Sequence, residues 1–279
     1  NHKQNMFDFS PHEFLPKRYI SFANGVLFAD SKEIPHLPCV VKVSSSSAGD
    51  GVQVCYNSTD FEIAKKRFSK IAGQILVEEY IKPLVNFGVQ FGIPHDIGKP
   101  IEIIGVNEQL TTREGAFLGG IIYPDKKDDM RKRIFKIMLE QILPKVRSFG
   151  WYGIGGIDVL VSEDGKIYFI DGNFRMTAVS PYLIQISNGE IRKPALGFTG
   201  MFKGSESEFR KKINPLAKHG DVNQILNMVN FSGKNGIFHL HASMLFDDEH
   251  SMKENAEKIL EAGIEAVPLK KLLLQDSWR

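Results

Sequence analysis

Two aspartates on one short hairpin carry the strongest chemical signal in this chain. From Gly155 to Asn173, apolar residues flank Ser162-Glu163-Asp164-Gly165, a run that reads as a turn between two strands. Pairing Ser162 with Ile167 across that turn sets Asp158 directly opposite Asp171, with Cβ atoms ~4.5–5.5 Å apart. Asn173 comes two residues on and Arg175 two beyond it, so strand alternation carries both onto the same face. Like charges facing each other destabilise a sheet. Ile157, Val159, Leu160, Phe169 and Ile170 sharpen the repulsion by lowering the local dielectric. A divalent cation relieves it. Magnesium prefers oxygen ligands and is commonly shared between one or two carboxylates and substrate phosphates, and Asn173 adds a neutral oxygen. The blander reading has both acids solvated with Arg175 as a salt-bridge partner; a one-residue slip in register would also part them.

A second signal is a run of small residues, Ser44-Ser-Ser-Ser-Ala-Gly-Asp-Gly51, between two apolar strands. Backbone N–H groups hold phosphates where side chains are small, Ser45, Ser46 and Ser47 add hydroxyl donors, and Gly49 and Gly51 permit close approach. Alone, such a run is more often an ordinary hairpin connection. Lys42 changes the balance: it stands two residues earlier in the otherwise apolar Cys39–Val43, where its charge wants an anion such as a phosphate. No Gly-Lys-Ser or Gly-Lys-Thr follows the glycines and no G-x-G-x-x-G occurs, which excludes the Walker and dinucleotide-binding loops. A third segment, Val77-Glu-Glu-Tyr-Ile81, could read adenine as an extended linker. Glu79 and Ile81 would offer backbone contacts around Tyr80, and Glu78 would accept from the exocyclic amine. By itself it is an ordinary edge strand.

The elements that must position these residues follow from periodicity. Residues 1–38 read as irregular, interrupted by Pro11, Pro16, Pro35 and Pro38. Strands are expected at 39–43, 52–56 and 74–81, with a helix between the last two capped by Thr59 and Glu62 and burying Phe61, Ala64, Phe68 and Ile71. A meander over 86–122 leads to one long helix at about 127–148 presenting Met130, Ile134, Met138 and Leu143. After the hairpin come a helix near 181–187, a polar connection at 203–220, a strand at 237–246 and a helix at 252–262.

Taken in order, Lys42, the Ser44–Gly51 loop, the V-E-E-Y-I hinge and the G-x-D … x-D-x-N-x-R hairpin resemble the ATP-grasp superfamily over residues 39–180. The resemblance implies an α+β ATP-grasp fold, two lobes at 1–82 and 83–279 with ATP held between their sheets. It implies ATP with Mg2+, or Mn2+ in its place, on Asp158, Asp171 and Asn173, and Arg175 steadying the transferred phosphoryl group. Lys3, 39 residues before Lys42, matches an earlier phosphate lysine, and Asn86 stands where members carry an acid for the ribose hydroxyls. The second metal acid is usually Glu, one methylene longer than Asp171. The implied activity is an ADP-forming ligase that activates a small carboxylate as an acyl phosphate and joins it to an amine. The alternatives are a phosphotransferase on the same scaffold and a regulatory module that binds ATP without turnover. Members also carry an N-terminal domain ahead of the small lobe; no counterpart is seen here and the chain opens on Asn1, which fits sequence missing upstream.

Bulk composition narrows the partners. Among 279 residues, 35 basic and 33 acidic side chains leave a charge of +2, which gives no argument for nucleic acid as the main partner. The absence of an ~18-residue apolar run argues against a membrane span, and no signal peptide is visible. Cys39 and Cys55 read as reduced core residues, which points to the cytoplasm. Arg113 reads as a turn arginine or a further phosphate or carboxylate contact, and the alternating His239 and His241 as structural.

Overall fold

In the computed structural model, which describes residues 6–44, 51–112, 117–124, 126, 128–189, 191–217 and 224–274, helices and antiparallel strands intermix as the α+β class requires. The chain begins α1 (Met6–Phe9), β1 (Arg18–Phe22), α2 (Gly25–Asp30), β2 (Cys39–Val43), β3 (Val52–Cys55), α3 (Ser58–Phe68) and β4 (Ile75–Glu79). It continues β5 (Pro83–Ile93), β6 (Glu102–Thr111), β7 (Phe117–Ile122), α4 (Asp129–Ile137), α5 (Leu143–Ser148), β8 (Gly153–Ser162) and β9 (Ile167–Asn173). The rest is α6 (Ser180–Ser187), β10 (Ala195–Lys203), α7 (Glu206–Ile213), β11 (Leu226–Lys234), β12 (Ile237–Leu245), α8 (Glu249–Glu261), β13 (Ile264–Glu265) and α9 (Val267–Leu273). Two compact units divide it: residues 1–104, 111–117 and 127–176, and residues 105–110, 118–126 and 177–279.

The first unit contains a four-stranded antiparallel sheet ordered β1-β4-β2-β3. Its core face carries Cys39, Val41, Val43, Ile75 and Val77 against Phe28 of α2 and Phe61, Ala64 and Phe68 of α3. Cys39 faces Cys55 across β2–β3, and both thiols are buried and unbridged, as expected of reduced core residues. The cap of α3 is Asn57, whose side chain accepts the Asp60 N–H at 3.0 Å, not the expected Thr59. Two residues earlier, the chain is still extended at Asn57, and that is what an N-cap needs. Strand β1 lies inside the region expected to be irregular. Its five residues escape notice because prolines crowd the flanks.

Strands β5, β8 and β9 also belong to the first unit and run antiparallel. The single helix expected at 127–148 is instead α4, a π turn over Met138–Ile142, and α5. Met138 and Leu143, five apart, are both buried. A 3.6-residue repeat cannot keep that spacing on one face, and a π turn absorbs the extra residue. Pro144, which lacks an N–H, follows directly.

In the second unit, β10 pairs with β7, β12 and β13, and β11 pairs with β12. Phe202, Phe209, Phe238, Met252, Ile259 and Leu269 form part of its core. Helix α7 occupies part of the stretch expected to be a polar connection. Ser205 and Glu208 form a reciprocal capping box, and Phe209 and Ile213, four apart, are buried. His239 and His241 lie on the exposed face of β12 opposite Met201 and Thr199 of β10, and no three-residue metal-binding group occurs among the described residues. No described helix is long and apolar enough to cross a membrane.

Candidate active site

Asp158 of β8 and Asp171 of β9 face each other directly. The route to that pairing differs from the expected one. Near the turn, Val161 pairs with Ile167, one residue out of the register that joins Ser162 to Ile167. A bulge then admits Ile170 as an extra residue between the Val159–Phe169 and Asp158–Asp171 pairs. Phe169 is buried on the core side; strict alternation from it would turn Asp171 inward too. The bulge reverses the parity, so that Asp171 and Asn173 are half-buried and Gly172 turns inward. Behind them, a Cβ on Gly172 would meet Met6 Sδ at 2.9 Å, so α1 packs tightly on the back of this strand. Asn173 Nδ2 donates to Asp158 Oδ2 at 3.3 Å, which puts the amide within reach of the acid pair.

The bulge also aims a carbonyl. Lys42 Nζ donates to Ile170 O at 3.4 Å, joining the four-stranded sheet to the hairpin. Lys42 lies only 7% exposed on the sheet face away from the core, and its anionic partner there is Glu78, 2.7 Å from Nζ and more deeply buried. On the other side of Glu78 stands Arg18, which the sequence reading missed, with Nη2 at 4.0 Å. The available signal was R-Y-I-S-F, a five-residue alternation opening on a cation.

The hinge residues divide. Glu78 and Glu79 belong to β4, an inner strand rather than the edge strand of the blander reading. The Glu79 N–H donates to Lys17 O at 2.9 Å and its carboxylate accepts from the Lys17 N–H at 2.7 Å, so the amide counted on for a base contact is already engaged. Tyr80 packs edge-on to Tyr56, and burial, then Tyr56, pushes its hydroxyl up to about 12. Ile81 lies past the strand end. Asn86 of β5 pairs with Leu160, two residues from Asp158, and its Oδ1 is buried with no hydrogen-bond partner. A buried acceptor left this way is costly unless a ligand or water supplies the donor.

Arg175 is placed otherwise than alternation implies. Strand β9 ends at Asn173, the Arg175 N–H turns back to Asn173 O at 2.8 Å, and the exposed guanidinium donates to Met176 O. The turn, and not the pleat, sets its direction. Gly51 accepts the Val43 N–H at 2.7 Å, and Ser44 donates to Gln74 O at 2.8 Å, anchoring both ends of the small-residue loop. Ser45, Ser46, Ser47, Gly49, Lys3 and Arg113 lie outside the described residues.

The donor set fits a magnesium nucleotide. Two facing carboxylates and an amide are hard oxygen donors. The orphaned Asn86 oxygen suits a sugar hydroxyl, and Lys42 reaches the carbonyl of the residue before Asp171.

Residues 16–173, more than half of the chain, match the family model described as L-aspartate–L-methionine ligase, ATP grasp. The chain is similar to the D-alanine–D-alanine ligase of Geotalea uraniireducens (strain Rf4), 29% identical over 141 residues, which cover 49% of this chain and 43% of that protein. It also matches the 2-oxoglutarate carboxylase small subunit of Hydrogenobacter thermophilus, 24% identical over 58% of this chain and 34% of that one. The chain thus spans less than half the length of these curated relatives. Among solved structures, N5-carboxyaminoimidazole ribonucleotide synthetase in complex with ADP superposes with a TM-score of 0.61 at 14% identity, covering 94% of this chain and 69% of that one. An L-amino acid ligase from Bacillus licheniformis superposes at 0.59 with 16% identity, covering 95% and 72%. At such identities the shared feature is the fold.

Proposed function

Because this chain belongs to the ATP-grasp family described as L-aspartate–L-methionine ligase, we propose that it spends ATP to activate the carboxylate of one amino acid and joins it to the amine of another. The observation that carries this reading is the facing pair Asp158–Asp171, with Asn173 in reach and Lys42 tied to the intervening bulge. Magnesium on that pair and Asn173 would offset phosphate charge when bound. Lys42 and the Ser44–Gly51 amides would hold the phosphates, Lys3 adding a second cation. Asn86 would accept from the ribose, and Ile81, with the flanking Tyr80, would contact the base while Glu78 accepts from its amine. The substrate carboxylate attacks the γ-phosphorus in line, and Arg175, after turning inward, would face the transferred group. The amine then attacks the acyl phosphate, releasing phosphate and forming the amide. Excluding water is essential, since the acyl phosphate otherwise hydrolyses.

The test is ADP release by the full-length protein with magnesium and pooled amino acids, followed by mass analysis. The expected product weighs one water less than two amino acids together. Asp158→Asn with Asp171→Asn abolishes both signals. Tight MgATP binding with no ADP from any pair would instead make this a regulatory module.

A further inference from the structure

Across the sheet face that carries Lys42, the side chains of β1, β4 and β2 form a charged row, Arg18–Glu78–Lys42. It holds two cations and one carboxylate, and Glu78 is only 3% exposed. The carboxylate is unequally shared. Glu78 Oε2 bonds Lys42 at 2.7 Å, while Oε1 stands 4.0 Å from Arg18 Nη2, too long for a hydrogen bond. Arg18 Nε and Nη2 are both buried without hydrogen-bond partners. The guanidinium is held instead by stacking, 3.6 Å over the Phe7 ring. An extra residue in β1, Tyr19, brings it there: without that bulge, alternation from the core residues Ile20 and Phe22 would send Arg18 inward.

A cation poised beside an acid that another cation already occupies is arranged for exchange. We propose that Arg18 takes over Glu78 when Lys42 turns to the nucleotide phosphates, keeping the carboxylate paired and aimed to accept from the exocyclic amine of adenine. The inference rests on the nucleotide reading above and adds a positioning residue for base choice. Phe7 lets the planar group slide the roughly 1 Å needed to reach charge-assisted hydrogen-bond distance, about 2.8 Å. Without Arg18, a Glu78 deserted by Lys42 has no cation to aim it and swings off the line of the adenine amine. That loss falls on a 6-amino purine, because a 6-oxo purine has no exocyclic amine for the carboxylate to accept from.

Calorimetric titration of the full chain with MgATP and with MgITP, which carries oxygen in place of the amine, decides it. The native chain binds MgATP more tightly. Arg18→Met weakens MgATP about tenfold, the worth of one good buried hydrogen bond, and leaves MgITP within about twofold. Arg18→Lys restores most of the preference. If Arg18→Met does not fold, Arg18→Gln, which keeps two donors but no charge, gives the same comparison. Equal weakening of both nucleotides, or no change, overturns the exchange and leaves Arg18 a structural support. A native chain that binds neither nucleotide, or both alike, overturns the base-reading role of Glu78 itself.

Discussion

Two strands of this molecule reach the site by the same device and with opposite electrostatics. In β9, one extra residue, Ile170, turns Asp171 away from the core to face Asp158. In β1, one extra residue, Tyr19, does the same for Arg18, which then faces Glu78. Each bulge reverses the inside–outside parity of everything beyond it. On β9 the result is a like-charge pair that wants a cation. On β1 it is an opposite-charge row that is nearly self-sufficient. We read the first as organised for a ligand and the second as a buried internal contact.

Deleting Ile170 attacks that comparison at its strongest point. Asp171 then follows Phe169 directly, so strict alternation keeps it facing Asp158, but the carbonyl that meets Lys42 is withdrawn. Magnesium-dependent ATP affinity is expected to fall by about tenfold, the scale of one hydrogen bond lost at Lys42; retention of native affinity in a titration would mean the bulge is incidental. A second contrast separates the two charge patterns. In magnesium-free buffer, Glu78→Met should cost about 3–5 kcal/mol of unfolding free energy, because it strands buried Lys42 beside Arg18. Asp171→Asn should instead raise stability by up to about 1 kcal/mol by relieving repulsion with Asp158. Denaturant melts of both variants shifting in the same direction would erase the distinction.

The smallest expected effect lies at the hairpin turn. Hydrogen bonds from Lys166 and then Ser162 hold the Asp164 carboxyl down to about 2. A carboxyl depressed on folding contributes stability above its ordinary value of about 4, lost as pH falls through about 2. Ser162→Ala should move that titration upward, read by carbon NMR of the Asp164 side chain, while nucleotide affinity stays unchanged. A coupled loss of affinity would show that the turn helps set the register at Asp171.

The amino-acid sequence by itself determined the buried face of α3 and the meeting of Asp158 with Asp171, because each rests on a short-range period or a single turn, while the α+β class followed from the resemblance its motifs carry. Even there, a register misplaced at Ser162 reached the right acid pair only because a bulge made up the difference. The cap of α7 was legible in Ser205 and Glu208 but lay hidden in a polar stretch, and the π turn was implicit in the five-residue step from Met138 to Leu143. What the tertiary structure alone decided was parity. Whether Arg18 joins Glu78, whether Glu79 keeps a free amide, and where Arg175 points depend on which neighbouring strand claims each backbone group. An inserted bulge residue such as Tyr19 or Ile170 is no different in composition from its neighbours; only packing both sides of the sheet at once selects it.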